Sequence, residues 1–240
     1  MYGPPVPEVD SERYWDEKAR ENALFYVDNR VDYDNPDNEA FWAGGDEVLD
    51  RMLDLVGHSI GANDEVADIG CGVGRLSRAM ARRARRVYGI DVSREMLARA
   101  RAHNEDVENV EWLHGDGHSL RVLGDASVDG CLSHVVFQHI PDPEITLEYV
   151  RDMGRVLRPG GWALFQVSTD PSVHRRRIGL ADRLKQVAGR GGDYDDRAWW
   201  GSAVKPRALR EALADGGLAI EKLDGEGTQF TTVLARRRGA

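Results

Sequence analysis

The sequence predicts an α/β fold, a largely parallel sheet wound on both faces by helices. Three observations carry that expectation. Between residues 65 and 168 short apolar runs alternate with helical stretches, the rhythm of successive β-α units. A glycine-rich turn, Gly70-Cys71-Gly72-Val73-Gly74, joins the first run to the first helical stretch. Acids stand near the carboxyl ends of the first three runs, at Asp68, Asp91 and Asp116, where open α/β sheets bind their ligands.

The elements follow in order. The first ten residues, with Pro4, Pro5 and Pro7, read as a loose tail. Residues 11–30 read as a helix with Tyr14, Trp15, Ala19, Leu24, Tyr26 and Val27 on its apolar side, and the turn-forming DYDNPDN at 32–38 ends it. A second helix is expected over 39–56, carried by Phe41, Trp42, Val48, Leu49, Met52 and Leu53. Strands are then expected at 65–69, 86–90, 109–114, 128–136 and 162–167. The intervening helices are 74–84, 93–103 with Ser93 as N-cap, and 144–157, which Arg158-Pro159-Gly160-Gly161 terminates. After Ser168 the rhythm breaks. Residues 169–204 read as an insertion with a helix near 178–188, a glycine-rich stretch at 189–192 and the aromatics Tyr194, Trp199 and Trp200. A helix at 206–214, with Pro206 in its first turn, precedes strands at 218–223 and 228–236. Their short link, 224–227, makes them antiparallel neighbours. The 240 residues are expected to form one domain: tail and cap helices at 1–57, core at 64–168, substrate lid at 169–204, and a closing helix and strand pair at 205–240.

Composition narrows the function classes. The chain carries 41 acidic against 32 basic residues, a net charge of −9, so a nucleic-acid partner is not expected. Of the bases 28 are arginines, scattered and outnumbered by acids, and the usage reads as codon bias. Two basic clusters, 82–86 and 174–177, read as solvated helix or loop surface before phosphate-binding patches. No apolar run approaches a membrane span, and the MYGPPVPEVD start lacks the basic and apolar regions of a secretory signal. No membrane partner is expected, and a homodimer is left open. Cys71 and Cys131 stand sixty residues apart and make neither a disulfide framework nor a metal cluster, so no metal is expected and a reducing cytoplasm is.

The glycine turn lets a ligand approach the backbone closely. It departs from the dinucleotide fingerprint, because Gly74 comes one residue early and Arg75 holds the place of the third glycine. Asp68, just before Gly70, disfavours an anion at the turn and favours a ligand with an ammonium group. Asp91, twenty-three residues on, can accept from both hydroxyls of a ribose. Asp116, within Gly115-Asp116-Gly117, can accept from an exocyclic amine such as that of adenine. Taken singly, Asp91 and Asp116 read as turn or cap acids; together with the turn, the three acids favour a site at the sheet's carboxyl edge.

In these motifs the chain resembles the class I S-adenosylmethionine-dependent methyltransferases, in their small-molecule branch. The resemblance covers about residues 65–168, and the closing strand pair less specifically. It implies a Rossmann-like, doubly wound sheet of seven strands in the order 3-2-1-4-5-7-6, the last strand antiparallel. It implies S-adenosylmethionine as cofactor and S-adenosylhomocysteine as product. By likeness Asp68, Gly70, Cys71 and Gly72 hold the methionine end, Asp91 with its neighbour Val92 the ribose, and Asp116 and Gly117 the adenine. Leu157-Arg158-Pro159-Gly160-Gly161 resembles the family's turn before the fifth strand. Ser133 and His134, ending the fourth strand, are implied to face the methionine end.

Methyl transfer from a sulfonium is an in-line displacement, so the protein mainly aligns and desolvates the nucleophile. His139, in VFQHIPD, is the candidate general base, since an imidazole ordinarily titrates near neutrality; a loop-packing role stays open beside it. The Asn/Asp-Pro-Pro-Tyr/Phe tetrapeptide of amide- and base-methylating relatives is absent, leaving oxygen, nitrogen, carbon and sulfur acceptors. Tyr14, Trp15 and Tyr26 are expected to close over the cofactor, and Trp199 and Trp200 to line the acceptor pocket, although ordinary helix packing is the stronger reading for Trp15 and Trp42. A regulator that binds the cofactor without transferring methyl, a nicotinamide oxidoreductase and a macromolecule methyltransferase are the alternatives.

Overall fold

The computed structural model describes residues 11–34, 38–174 and 201–239. Its sheet has seven strands in the order β3-β2-β1-β4-β5-β7-β6. They are β1 (Glu65–Ile69), β2 (Arg86–Asp91), β3 (Val110–His114), β4 (Val128–Ser133), β5 (Leu157–Val167), β6 (Leu218–Asp224) and β7 (Thr231–Arg237). β1 to β5 pair in parallel, and β7 runs antiparallel between β5 and β6. The helices are α1 (Ser11–Val27), α2 (Asn38–Val56), α3 (Arg75–Ala81), α4 (Arg94–His103), α5 (Pro143–Val156) and α6 (Pro206–Asp215).

The register explains both cores. Ala67, Cys131, Ala163 and Ala235 form one cross-strand row, and they pack with α5 and α6. The next row, Asp68, Leu132, Leu164 and Leu234, faces the opposite side, where Leu132, Leu164 and Leu234 pack with α2 and α3. Strand alternation thus feeds two layers, as a doubly wound sheet requires. One position in the second row is polar: Asp68. A third, smaller core holds Ala19 and Ala23 of α1, Phe41 of α2, Val73 and Met96, and it seats α1 over the sheet's carboxyl edge.

Several expected elements are adjusted. The first helix is kinked at Asn22, whose backbone is extended (φ −162°, ψ 88°). Its side-chain oxygen accepts from Phe25 N at 3.1 Å, the work of an N-cap, so a second helical segment restarts there. The fourth strand stops at Ser133 instead of running to 136, because Val135 adopts a left-handed φ of 56° and the chain enters a 3-10 turn, Phe137–His139. The fifth strand begins at once after α5, and Arg158-Pro159-Gly160-Gly161 forms a register shift within it, between the Val128–Leu157 and Gly130–Trp162 pairs. Ser93 caps α4 as expected, accepting from Met96 N at 3.0 Å. Arg82, Arg83 and Arg85 pair with Asp46, Asp50 and Glu65, in keeping with a solvated, paired surface. The helix expected at 178–188, the glycine-rich stretch, Tyr194, Trp199 and Trp200 lie outside the described residues. Among the described residues no helix is long and apolar enough to cross a membrane, and no His/Cys/Asp/Glu cluster could hold a metal ion.

Candidate functional site

A cleft of about 1690 Å³ runs along the carboxyl edge of the sheet. That exceeds the volume usual for one small ligand, roughly 300–1,000 Å³, and suits two molecules side by side. β1 delivers Asp68 and the glycine turn to it, β2 delivers Asp91 and Val92, and β3 delivers Asp116 and Gly117. His134 follows β4, and His139 stands in the 3-10 turn beyond. Trp15, Tyr26 and Val27 at the cap also line the cleft, as do Ala203, Val204 and Lys205, next to Ser202, whose Oγ donates to the Ile140 carbonyl at 2.8 Å.

The glycine turn is shaped by contact. Gly70 and Gly72 have φ of 75° and 55°, a region that side chains rarely adopt. A Cβ at Gly70 would stand 2.4 Å from Val136, and one at Gly72 would stand 2.7 Å from Val27 of α1. Gly74 serves packing instead: a Cβ there would stand 2.3 Å from the Trp112 indole. The turn therefore keeps bare backbone at Gly70 to Gly72, with the loop after β4 and the cap helix resting on it.

Electrostatics distinguish the three acids. Asp68 is fully buried, and burial pushes its carboxyl up to about 7 although Ser77 Oγ donates to it at 2.6 Å. Burial also raises Asp91, against backbone donors from Gly72 and Ser93, each at 2.8 Å. Asp116 lies at the rim and is held below the ordinary carboxylate range: burial pushes it up, and Ser119 Oγ and the His118 and Ser119 N–H groups outweigh that. Two disfavoured negative charges on the floor make the cleft receptive to a cationic ligand. His134 is pushed down to about 4, first by burial and then by the Arg75 and Arg30 charges, and so is neutral at pH 7. Burial raises the Cys71 thiol well above its ordinary value, which removes thiolate chemistry from the turn.

Of the residues singled out from sequence, Trp15, Asp68, Gly70, Cys71, Gly72, Asp91, Val92, Asp116, Gly117, His134 and His139 all line this one cleft. Two do not. Ser133 is fully buried and its hydroxyl donates to the Ile69 carbonyl at 3.0 Å, tying β4 to β1. Tyr14 stands outside the lining and packs edge-on against Trp15, with centroids 5.3 Å apart. The Trp15 ring in turn meets His139 edge-on at 6.0 Å, so its packing partner is itself a cleft residue. Sequence reasoning missed Arg75, Tyr149 and Lys205, which also line the cleft, while Ala203 and Val204 of the lining fall at the end of the expected lid. Arg75 carried a signal, a charged residue directly after the glycine turn; Tyr149 was marked only by falling within the helix expected over 144–157.

Comparisons with known proteins bear on this arrangement. Residues 67–165 match the methyltransferase-domain family. A ubiquinone biosynthesis O-methyltransferase of Aeromonas salmonicida is 31% identical over 181 residues, which span 74% of this chain and 71% of that protein. The chain belongs to the class I S-adenosylmethionine-dependent methyltransferases. A second ubiquinone biosynthesis O-methyltransferase, of Hydrogenovibrio crunogenus, is 25% identical over 180 residues, spanning 73% of this chain and 70% of that one. The fold agrees with that of geranyl diphosphate C-methyltransferase from Streptomyces coelicolor, solved with Mg2+, geranyl diphosphate and S-adenosylhomocysteine, at a TM-score of 0.64, 13% identity, and coverage of 97% of this chain and 100% of that one.

As a member of these methyltransferases the chain is an enzyme that uses S-adenosylmethionine to methylate a small molecule. The regulatory and nicotinamide alternatives give way to that membership. The residues present suit the cofactor. An ionised carboxylate offers about four accepting positions. The Gly72 and Ser93 N–H groups donate to Asp91, and the His118 and Ser119 N–H groups with Ser119 Oγ donate to Asp116, so both acids keep capacity for hydroxyl or amine donors. Gly70 and Gly72 line the cleft without side chains of their own, as close approach of a sulfonium end requires.

Proposed function

We propose that this methyltransferase methylates a hydroxyl oxygen of a small, largely apolar molecule, with His139 as general base. The position of His139 carries the reading. It lines the same cleft as the glycine turn and Asp91, faces Trp15, and adjoins Ile140 and Pro141, with Ala203 and Val204 in the same lining. A hydroxyl must lose its proton as it attacks, and a base within reach contributes roughly 10²–10⁴-fold to such a step. The names of the relatives, O-methyltransferases of ubiquinone biosynthesis, support an oxygen acceptor.

In this reading Asp91 and Val92 hold the ribose, Asp116 and Gly117 the adenine, and Asp68, Gly70, Cys71, Gly72 and the backbone at His134 the methionine end. Bound S-adenosylmethionine supplies a methyl group already activated by its positively charged sulfur. The chain's own residues align the acceptor, exclude water and move one proton. Val27 packs on Gly72 of the turn and Trp15 lines the same cleft, where an indole can attract a cation through its negative π-cloud. His139 receives the acceptor's proton on a ring nitrogen, while neutral His134 adds no competing charge. The chain acts as one domain, with α1 capping the cofactor end; most of the substrate lid at 169–204 lies outside the described residues. A cytoplasmic location and a homodimer belong to the same proposal; cell fractionation and sedimentation read them.

The test supplies methyl-labelled S-adenosylmethionine with a panel of phenols, alcohols, amines and carbon acids. Label is expected in ethers. Label confined to amine or carbon products overturns the oxygen assignment. On an accepted substrate His139→Ala should lower the single-turnover rate by about 10²–10⁴-fold, with S-adenosylhomocysteine affinity held within about threefold. An unaltered rate leaves His139 a packing role only.

A further inference from the structure

We infer that Arg75 binds the carboxylate of the cofactor's amino-acid end, and that Asp28 at the close of the cap holds it in position to do so. The inference rests on the cofactor placement just proposed and adds to it the group that recognises the charged tail.

Arg75 opens α3 directly after the glycine turn and lines the cleft together with Asp68 and Gly72. Its side chain is only 5% exposed. A guanidinium carries five N–H donors, and a buried one requires partners for its charge. Here Nη1 donates to Asp28 Oδ2 at 2.5 Å, and the Phe41 ring lies 5.3 Å from Cζ. Nε is buried with no hydrogen-bond partner. Asp28 does not offset this charge alone, because it also accepts from Arg30 Nη2 at 2.6 Å and Nε at 2.8 Å. One carboxylate therefore serves two guanidiniums, and the buried one has only this shared anion.

The surroundings are built to admit this side chain. A Cβ at Gly45 of α2 would stand 2.9 Å from Arg75 Cγ and 2.8 Å from its carbonyl oxygen, and one at Gly44 would stand 3.5 Å from Nη1. The glycine pair thus leaves a channel along which the arginine stem passes. The amino-acid tail of the cofactor is a zwitterion. Asp68 suits its ammonium and Arg75 its carboxylate, two opposite charges lining one cleft at the turn. An anionic acceptor is the competing occupant. Position disfavours it, since Arg75 stands at the glycine turn, whereas Ile140, Pro141 and Val204 mark the other part of the cleft.

The experiment titrates the full chain with S-adenosylhomocysteine and with its decarboxylated analogue, which keeps the adenosine, thioether and ammonium. Wild type should prefer S-adenosylhomocysteine by about 10–100-fold, the range of a charge-assisted bond. Arg75→Met should erase that preference, weakening S-adenosylhomocysteine by a similar factor and the analogue by less than about threefold. Arg75→Lys, which keeps the charge if the methionine variant fails to fold, should retain part of the preference. Asp28→Asn should reduce it. Variants of Arg75 that weaken both ligands equally, or that keep the full preference, overturn the carboxylate assignment and leave Arg75 a pin between cap and core. A full preference in Asp28→Asn overturns the holding role of Asp28. A wild type that binds neither ligand overturns the cofactor placement itself, a failure distinct from the others.

Discussion

An aspartate in water gives up its proton near pH 4; Asp68 keeps its own up to about 7, because the sheet buries it against Ser77. The proton is therefore bound more tightly in the folded state. Stability from this group is full below the ordinary value of 3.8 and is lost as pH rises toward about 7. Asp68→Asn should remove that dependence. Urea unfolding should show wild type losing on the order of 2–4 kcal/mol between about pH 4 and pH 8 relative to the variant. A constant difference across that range contradicts the burial argument. A ligand ammonium favours ionised Asp68, so S-adenosylhomocysteine binding near neutral pH should release a proton, visible as a buffer-dependent calorimetric heat. Asp28 has the opposite sign. Burial raises it, but the Arg30 hydrogen bonds and the Arg75 and Arg30 charges bring it down to about 2, so its contribution is present above 3.8 and fades as pH falls toward 2.

At the scale of elements, the cap is joined to the core at α4. Asp16 of α1 accepts from Ser93 Oγ at 2.6 Å and from Glu95 N at 3.0 Å. Asp16→Ala should cost about 1–2 kcal/mol of cap docking. Hydrogen exchange should quicken in 11–27 while β1 and β4 stay protected; uniform quickening would mean the cap and core unfold as one unit. The loop after β4 allows a second prediction. Val135 is β-branched at φ 56°, a conformation that asparagine tolerates better. Val135→Asn should raise stability by about 1 kcal/mol in thermal unfolding, and a loss would show that valine packing outweighs the backbone strain. These two elements also mark where sequence reading succeeds and fails. Ser93 was legible as a cap because its chemistry is local. The end of β4 was not: Val135-Val136 reads as a continuing apolar strand, and the turn that carries His139 to the cleft shows only in φ. The Asn22 kink was hidden in the same way, inside a run with helical spacing.

At the scale of the molecule, alternating apolar runs made the α/β class legible and the short 224–227 link the antiparallel pair, whereas the full strand order was legible only through the family resemblance. The acids at the strand ends were legible because a parallel sheet brings its carboxyl ends to one edge. Their partners were legible only in part: Trp15 was expected over the cofactor, whereas Tyr149 and Lys205 reach the cleft from elements whose docking no local pattern encodes. The account as a whole depends on an adenosine held by β2 and β3 with its charged tail at the glycine turn. Calorimetric titration of S-adenosylhomocysteine into wild type and Asp91→Ala, with circular dichroism confirming that both are folded, tests this most directly. The account predicts saturable one-to-one binding by wild type and a loss of about 10–100-fold in the variant. Equal affinities in the two proteins would contradict it.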